Sequence, residues 1–360
     1  MVECKTMYPK ISLIWINHNS MDKKEVIAES IKSIQKLNYP DFELIAVDDG
    51  STDGSSGFVH GLLQKSKIKW KFFRQETNRG LHSCLNIAYS MMDKKSKYFM
   101  ILNNDAKLYP NALKGLVEGL EKDDKVGAAM GIELYWNSRV VANAGIMFDE
   151  LLYGNTLCQG LNVNECEKKA HLISAASTAL GIFRTKAFKK FGKKIAYEDM
   201  VRHFNETFFG ARLWNIGYKV MYYPIIVGEH YRAVSEQSRS SKRFYYKLKG
   251  WMTLLLISNS QYKDSVTKDL FLLKNLFGHI KHDPRNFREY ASLYRKISHD
   301  SQQKAKELRK KKVVIDIYKM PHIKGFRYFW ISSASLTERW QPNLRFRDLL
   351  KAKSVYLPRT

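Results

Sequence analysis

The sequence predicts an α/β protein: an open, parallel or mixed sheet flanked by helices, followed by a basic and mainly helical extension. Three observations carry this. Apolar, strand-like runs alternate with helix-patterned stretches through the first half of the 360 residues. Clusters of Asn, Asp and Ser fall where the runs end. The charge is also uneven. From Tyr231 onward lie 29 of the 60 Lys and Arg but only 10 of the 35 Asp and Glu, a net of +19. The first 230 residues carry +6 of the total +25.

Taken in order, Lys10 to Ile16 (KISLIWI) reads as a buried strand, and Ser20 is placed to cap the helix that follows. In that helix Ile27, Ile31, Ile34 and Leu37 recur at helical spacing, and Asn38-Tyr39-Pro40 stops it. Phe42 to Val47 is the second strand. After Asp48-Asp49-Gly50-Ser51 a helix runs to about Lys65, and Lys69 to Phe73 is a third strand. Gly80 opens a helix with Leu81, Leu85 and Ala88 inward. Tyr98 to Leu102 is the fourth strand and ends at Asn103-Asn104-Asp105. Further strands are predicted at Ala128–Leu134 and Val220–Tyr223, with a helix near Glu206–Ile216. Beyond Tyr231 the segments Phe244–Ile257 and the spacing of Phe287, Tyr290, Leu293 and Ile297 predict amphipathic helices.

Composition narrows the class. Hydrophobic content of 44% and aromatic content of 13% belong to a folded chain. The four cysteines, Cys4, Cys84, Cys158 and Cys166, show neither C-x-x-C spacing nor a zinc pattern, which predicts a reduced, cytoplasmic setting. The N-terminus lacks a signal-peptide layout, and no stretch reaches the ~18–20 apolar residues of a spanning helix. Binding to the inner face of a membrane stays open, because a basic segment is drawn to anionic lipid, acidic glycan or nucleic acid.

No G-x-G-x-x-G follows the first strand, so the half-sheet is Rossmann-like without the dinucleotide fingerprint. Its polar clusters, Asn17–Asn19, Asp48–Asp53 and Asn103–Asp105, all sit at strand ends, where open α/β sheets form their ligand crevice. The carboxylates of Asp48-Asp49 can accept N–H or O–H groups of a base or ribose. An ordinary turn with Ser51 or Asp53 as helix cap is the competing reading. Asp105 at the end of a buried strand suits a hard cation, Mg²⁺ or Mn²⁺, facing diphosphate oxygens; a plain turn Asp is the alternative. Arg79 stands before a helix start, placed for a base or phosphate or simply solvated.

As an ordered set these segments resemble the family 2 inverting glycosyltransferases of the GT-A fold. The matching pieces are N-H-N-S after the first strand, F-E-L-I-A-V-D-D-G-S-T-D-G, N-R-G-L, and F-M-I-L-N-N-D with Pro110 beyond it. A-L-G-I-F-R-T-K-A-F, N-E-T-F-F-G-A-R-L-W-N-I-G-Y, Pro224 and His230 follow. The resemblance covers roughly residues 10–235, a catalytic domain of residues 1–235 followed by a basic region of 236–360. Ser238, Ser240, Ser241 and Lys242–Lys249 look like the segment after the catalytic domain in rhamnosyltransferase-like members.

The resemblance implies a nucleotide-diphosphate sugar as donor and a glycan or lipid-linked glycan as acceptor. Asp49 would bind the nucleobase, helped by the loop at Asn17 and by Arg79. Asn104 and Asp105 occupy the metal motif, with Asp105 the direct ligand and Asn104 a departure from the commoner acidic residue. His230 would complete the metal or diphosphate site; a core or turn His is the alternative. Counting back from Gly217-Tyr218, the acidic pair of the family falls on Asn205 and Glu206, so Glu206 becomes the general base and the first carboxylate is absent. A solvated first-turn carboxylate is the competing reading. Arg212 follows six residues later as the pattern expects, and Glu198-Asp199 is an acidic pair in a different register.

For the tail, Phe244, Tyr245, Tyr246, Trp251 and Leu254–Leu256 are expected to form an apolar face, either for an anionic membrane surface or packed on the catalytic domain. Two other classes compete. One is a nucleic-acid-binding protein, on the strength of pI 9.7 and Arg309-Lys310-Lys311-Lys312. The other is a catalytically silent GT-A scaffold, suggested by Asn104 and Asn205.

Overall fold

In a computed structural model of the chain, residues 8–198, 205–232, 241–282, 287–325 and 344–358 are described. The strand–helix units of the first half form as the periodicity predicts. Strand β1 (Ile11–Asn17) leads to α1 (Lys24–Gln35), β2 (Phe42–Asp48) to α2 (Ser55–Gln64), and β3 (Trp70–Arg74) to α3 (Leu81–Met91). Strand β4 (Tyr98–Asn103) turns at Asn104-Asp105 into the short β5 (Ala106–Leu108) and α4 (Ala112–Glu121). Then follow β6 (Val126–Tyr135), β7 (Val141–Asn143), β8 (Ile146–Asp149), β9 (Gly154–Thr156), β10 (His171–Leu172), β11 (Ile182–Arg184), α5 (Thr185–Lys189), α6 (Asn205–Asn215) and β12 (Lys219–His230). The last part holds α7 (Ser241–Leu256), α8 (Val266–His282), α9 (Phe287–Lys310), β13 (His322–Ile323), α10 (Phe346–Lys351) and β14 (Val355–Tyr356).

The main sheet runs in the order β10-β12-β6-β11-β4-β1-β2-β3, with β5 on β12 and β7 on β6. Strands β4, β1, β2 and β3 are parallel, whereas β11 is antiparallel to both β4 and β6. The sheet is therefore mixed. A second, smaller sheet, β14-β13-β8-β9, joins the last residues of the chain to its middle.

Side chains alternate across a strand, so each strand feeds two cores. Leu13, Trp15 and Leu44 face α1, α2 and α4, where Ile27, Ile31 and Leu116 are buried. Ile14, Ile45 and Phe99 face the opposite way, against Leu85 and Ala88 of α3. That second cluster continues without a break into Trp251, Leu255 and Leu308 of the basic region.

The structure amends two expectations and bears on a third. Ser20 makes no side-chain cap; its hydroxyl instead donates to Asn17 Oδ1 at 2.5 Å. Strand β12 does not stop at Tyr223 but continues past Pro224, because the register slips between Tyr222 and Ile226 and again before Gly228. A bulge of this kind absorbs the N–H that proline lacks. Finally, of the two readings of the α7 apolar face, the buried residues support packing on the rest of the chain rather than an open membrane face. Trp251, Leu254 and Leu255 are buried, and Trp251 Nε1 donates to Leu151 O at 2.8 Å. An aromatic helix beside an uncovered apolar sheet face gains more by burying there, at about 25 cal/mol per Å². Tyr245, Tyr246 and Leu256 remain half-buried. The side chains of Phe244, Lys242, Arg243, Phe287 and Tyr290, together with Ser238 and Ser240, lie outside the described residues. No helix among the described residues is long and apolar enough to cross a membrane.

Candidate active site

The ends of β1, β2 and β4 bring their polar clusters into one hydrogen-bonded edge. Asp48 is fully buried and accepts from Asn17 Nδ2 (2.8 Å), Ser51 N (2.9 Å) and Ser51 Oγ (2.7 Å). Asn17 is buried too. Its Nδ2 also reaches Ser55 Oγ at 3.1 Å, and its Oδ1 accepts from Ser20 and from Asn104 Nδ2 at 3.1 Å. The Asn17 amide thus ties three strand ends together and has no capacity left for a ligand.

Asp49 is 2% exposed, and its carboxylate sits at the start of α3. Its Oδ1 accepts from Gln75 Nε2 and Arg79 N, each at 2.8 Å, and Oδ2 accepts from Gly80 N at 2.9 Å. A carboxylate there satisfies orphan N–H groups and suits the positive end of the helix. Gly50 has φ +65°, and a Cβ on it would lie 2.5 Å from the Thr77 carbonyl carbon. Only glycine lets the Thr77–Arg79 loop close over Asp49. His18 completes the wall, donating Nδ1–H to Asp49 O (2.9 Å) and accepting from Asn78 Nδ2 (2.7 Å). Asp53 behaves as the turn reading expects, accepting from Ser55 N at the first turn of α2.

The Arg79 guanidinium is exposed and faces Glu198 at 3.4 Å. Glu198 also meets Lys194 at 2.9 Å, and that bond leads the effects that hold its carboxyl below the usual range. The alternative acidic pair is therefore engaged, at Glu198, with cations beside α3. Its second member, Asp199, lies outside the described residues.

At the other side of the edge stand Asp105, 4% exposed, and His230, at the end of β12. His230 Nε2 is 3.0 Å from Asp105 Oδ1, and Nδ1 is 2.8 Å from Glu133 Oε1. Asn103 Nδ2 also reaches Nε2 at 3.3 Å. Burial alone would lower the His230 pKa, but the two carboxylates outweigh it and raise it to about 9. Glu133 is held below its ordinary value despite burial, by His230 and then by Arg232, whose Nε is 3.5 Å away. Its other oxygen, Oε2, is buried without a hydrogen-bond partner among the described residues.

This donor set fits a hard divalent cation. One carboxylate and one imidazole converge, and such ions complete their shell with phosphate oxygens and water. The described residues hold no group of three or more candidate ligands, so of these residues Asp105 and His230 would be the two that hold such an ion.

Glu206 lies in the first turn of α6 and is half-buried. Thr178 Oγ1 donates to its Oε1 at 2.7 Å. The loop that carries Thr178 is fastened to the same edge, because Asn103 N donates to Ala179 O at 3.3 Å. Glu206 is thus anchored beside the Asn103–Asp105 turn. Arg212, one and a half turns further, stacks its guanidinium 3.8 Å from the Phe191 ring centroid. Of Asn205 only the backbone is described.

The sequence reading passed over Glu133 and Thr178. Glu133 stands inside a ten-residue buried strand, and an ionisable group there demands a partner, which was a usable signal. Thr178 carries no sequence signal of its own.

An open mixed sheet with its polar residues gathered at the strand ends, beside the Asp105–His230 pair, defines a protein of the GT-A glycosyltransferase fold. The chain belongs to glycosyl transferase family 2, whose family model matches residues 12–192. It is 25% identical over 207 residues to the poly-beta-1,6-N-acetyl-D-glucosamine synthase of Staphylococcus epidermidis, covering 56% of this chain and 46% of that protein. The chain thus spans under half the length of that curated relative. Among solved structures it resembles GalNAc-T7 with UDP, GalNAc and Mn²⁺ (TM-score 0.60, 16% identity, 82% of this chain and 57% of that one). It also resembles the mannosyltransferase PcManGT of Pyrobaculum calidifontis with GDP-Man and Mn²⁺ (TM-score 0.52, 17% identity, 85% and 80%).

Proposed function

We propose that the chain is an inverting glycosyltransferase that moves a sugar from a nucleoside-diphosphate donor to a hydroxyl of a glycan or lipid-linked acceptor. The observation that supports this reading is the hydrogen-bonded link from Glu206 to Thr178 and from Ala179 to Asn103, two residues before Asp105 with its His230 partner. An inverting transfer needs a cation site and a base.

In this reading Glu206 takes the proton of the acceptor hydroxyl. Thr178 occupies Oε1, leaving Oε2 as the proton-accepting oxygen. Asp105 and His230 would hold Mg²⁺ or Mn²⁺, which when bound neutralises charge on the departing diphosphate. The base of the nucleotide would lie against the His18–Asn78 wall and the free side of Asp49 Oδ2, with Arg79 at its rim. Asn17 and Asn104 act by holding the strand ends in register. The GT-A domain is taken as residues 1–235, and the rhamnosyltransferase-like branch rests on the Lys242–Lys249 resemblance.

A cytoplasmic, peripheral placement is the partner proposal. Exposed cations on α9 and after it, such as Lys306, Lys310 and Lys312, would meet anionic lipid, each worth about 1 kcal/mol near the surface. Charge reversal at these three should weaken co-sedimentation with phosphatidylserine vesicles; unchanged binding removes the proposal.

The enzyme reading is tested by thermal shift with a panel of nucleotide sugars, with and without Mn²⁺, on the parent and on Asp105→Ala. Stabilisation that needs both Mn²⁺ and Asp105 is the expected result. Donor binding without turnover would instead favour a catalytically silent scaffold, the reading that Asn205 in place of an acid suggests.

A further inference from the structure

We propose that Glu133 is a positioning residue for the cation site: it fixes the His230 imidazole in the tautomer and orientation that aim Nε2 at Asp105. The inference rests on the reading of Asp105 and His230 as metal ligands. Glu133 belongs to none of the strand-end clusters. It lies within β6, and it reaches the neighbouring strand β12, where Glu133 pairs with Gly228 and Tyr135 with His230. Gly228 itself leaves no room for a side chain, since a Cβ there would lie 2.0 Å from Lys107 O.

A carboxylate with no solvent exposure is costly to bury and persists only with strong compensation. Here the compensation is led by the Nδ1–H of His230 at 2.8 Å, with the Arg232 guanidinium at 3.5 Å and the Ser177 hydroxyl adding to it. The imidazole is thereby clamped through one nitrogen, and the other is delivered to Asp105 at 3.0 Å. A ring held in this way has one bare nitrogen when it ligates a cation, and that nitrogen is Nε2. Carboxylate partners of metal-bound histidines fix the tautomer, and their loss typically lowers metal affinity 10–100-fold. Asn103 contacts the same Nε2, so it cannot substitute for the clamp on Nδ1.

The test is Mn²⁺ titration followed by electron paramagnetic resonance, in the presence of UDP or GDP, on the full chain. Glu133→Leu keeps the size and removes the acceptor; it should weaken Mn²⁺ binding about 10–100-fold. Glu133→Gln keeps an oxygen that accepts from Nδ1–H, and it should stay within about threefold of the parent, as tautomer fixing requires. His230→Ala combined with Glu133→Leu should be no weaker than His230→Ala alone, because a residue acting through another adds nothing once that other is gone. Additive losses, or a Glu133→Leu protein that binds Mn²⁺ like the parent, overturn the inference while leaving the metal reading intact. No Mn²⁺ binding by the parent overturns both. Should Glu133→Leu fail to fold, ¹⁵N-histidine NMR of the parent with Mg²⁺ and UDP decides. His230 protonated at Nδ1 with bare Nε2 supports the clamp, and the opposite tautomer overturns it.

Discussion

The two ends of the site edge are built differently. At the end proposed for the nucleotide Asp48, Asn17 and Asp49 are buried and hydrogen-bonded from within the chain, with only Asp49 Oδ2 keeping a free side. At the cation end a fully buried Glu133 keeps one oxygen without a partner among the described residues, and two carboxylates share one imidazole. Buried polar groups left short of partners cost free energy, so proteins keep few of them without a use. The nucleotide end is therefore part of the fold before any ligand arrives. In the proposed reading the other end, Asp105 with His230, is a preorganised pair of cation ligands with capacity to spare. Glu206 is anchored through Thr178, next to Ala179, which accepts from Asn103 N.

The sharpest way to break this contrast is at Glu206. Glu206→Gln keeps the Thr178 hydrogen bond and removes the basic oxygen. It should lower kcat by about 10²–10⁴ while the KM for donor changes little. Equal loss in both parameters, in steady-state kinetics, would remove Glu206 from the base role.

Next in size is a comparison of Asp49→Asn with Asp105→Asn. Asp49→Asn leaves a buried donor group facing backbone N–H groups at the α3 start, which should cost about 1–3 kcal/mol of stability without any ligand. Urea unfolding of the ligand-free proteins measures it. Asp105→Asn should show its main loss only when Mn²⁺ and donor are added, as a vanished thermal shift. If Asp49→Asn is as stable as the parent, the nucleotide end is not the structural element described above.

A smaller effect is expected at Thr178. Thr178→Val removes one hydrogen bond to Glu206 Oε1, worth about 0.5–1.5 kcal/mol, so kcat should fall about three- to tenfold. Thr178→Ser should restore it, and the donor KM should not move. A Val variant as fast as the parent would show that Glu206 needs no anchor.

The same contrast explains what the sequence could reveal. The nucleotide end is assembled from consecutive strand ends in a parallel sheet, so V-D-D-G-S and L-N-N-D mark both the fold and the place. The cation end joins residues 97 and 125 positions apart, His230 with Glu133 and with Asp105, and nothing local announces such a pairing. Glu133 sits in VGAAMGIELY, where a single Glu in an apolar run calls for a partner without saying which. Pro224 suggested a strand end, and only the register slips of β12 carry the strand on to His230. Strands β8, β9, β13 and β14 are two to four residues long, too short for periodicity, and β13 finds β8 across most of the basic region. The apolar stripe of α7 was legible, with packing on the catalytic domain as one of its two readings, but the Leu151 contact that receives it was not.

Asp149, at the end of β8, extends the comparison beyond the main sheet. Burial raises its carboxyl to about 7, although backbone N–H groups of Tyr153 and Leu151 oppose the shift. A folded-state pKa above the unfolded value means that the native state binds the extra proton. The associated stability is present below about pH 4 and is lost as pH rises through 7. Asp149→Asn cannot ionise, so relative to the parent it should gain stability between pH 5 and pH 8, on the order of 2 kcal/mol. Urea midpoints at the two pH values test the sign. A difference between variant and parent that does not change with pH would mean Asp149 is ionised in the native state. The expected result is an Asp149 whose protonation follows from its burial, with only the N–H groups of Leu151 and Tyr153 on its carboxylate.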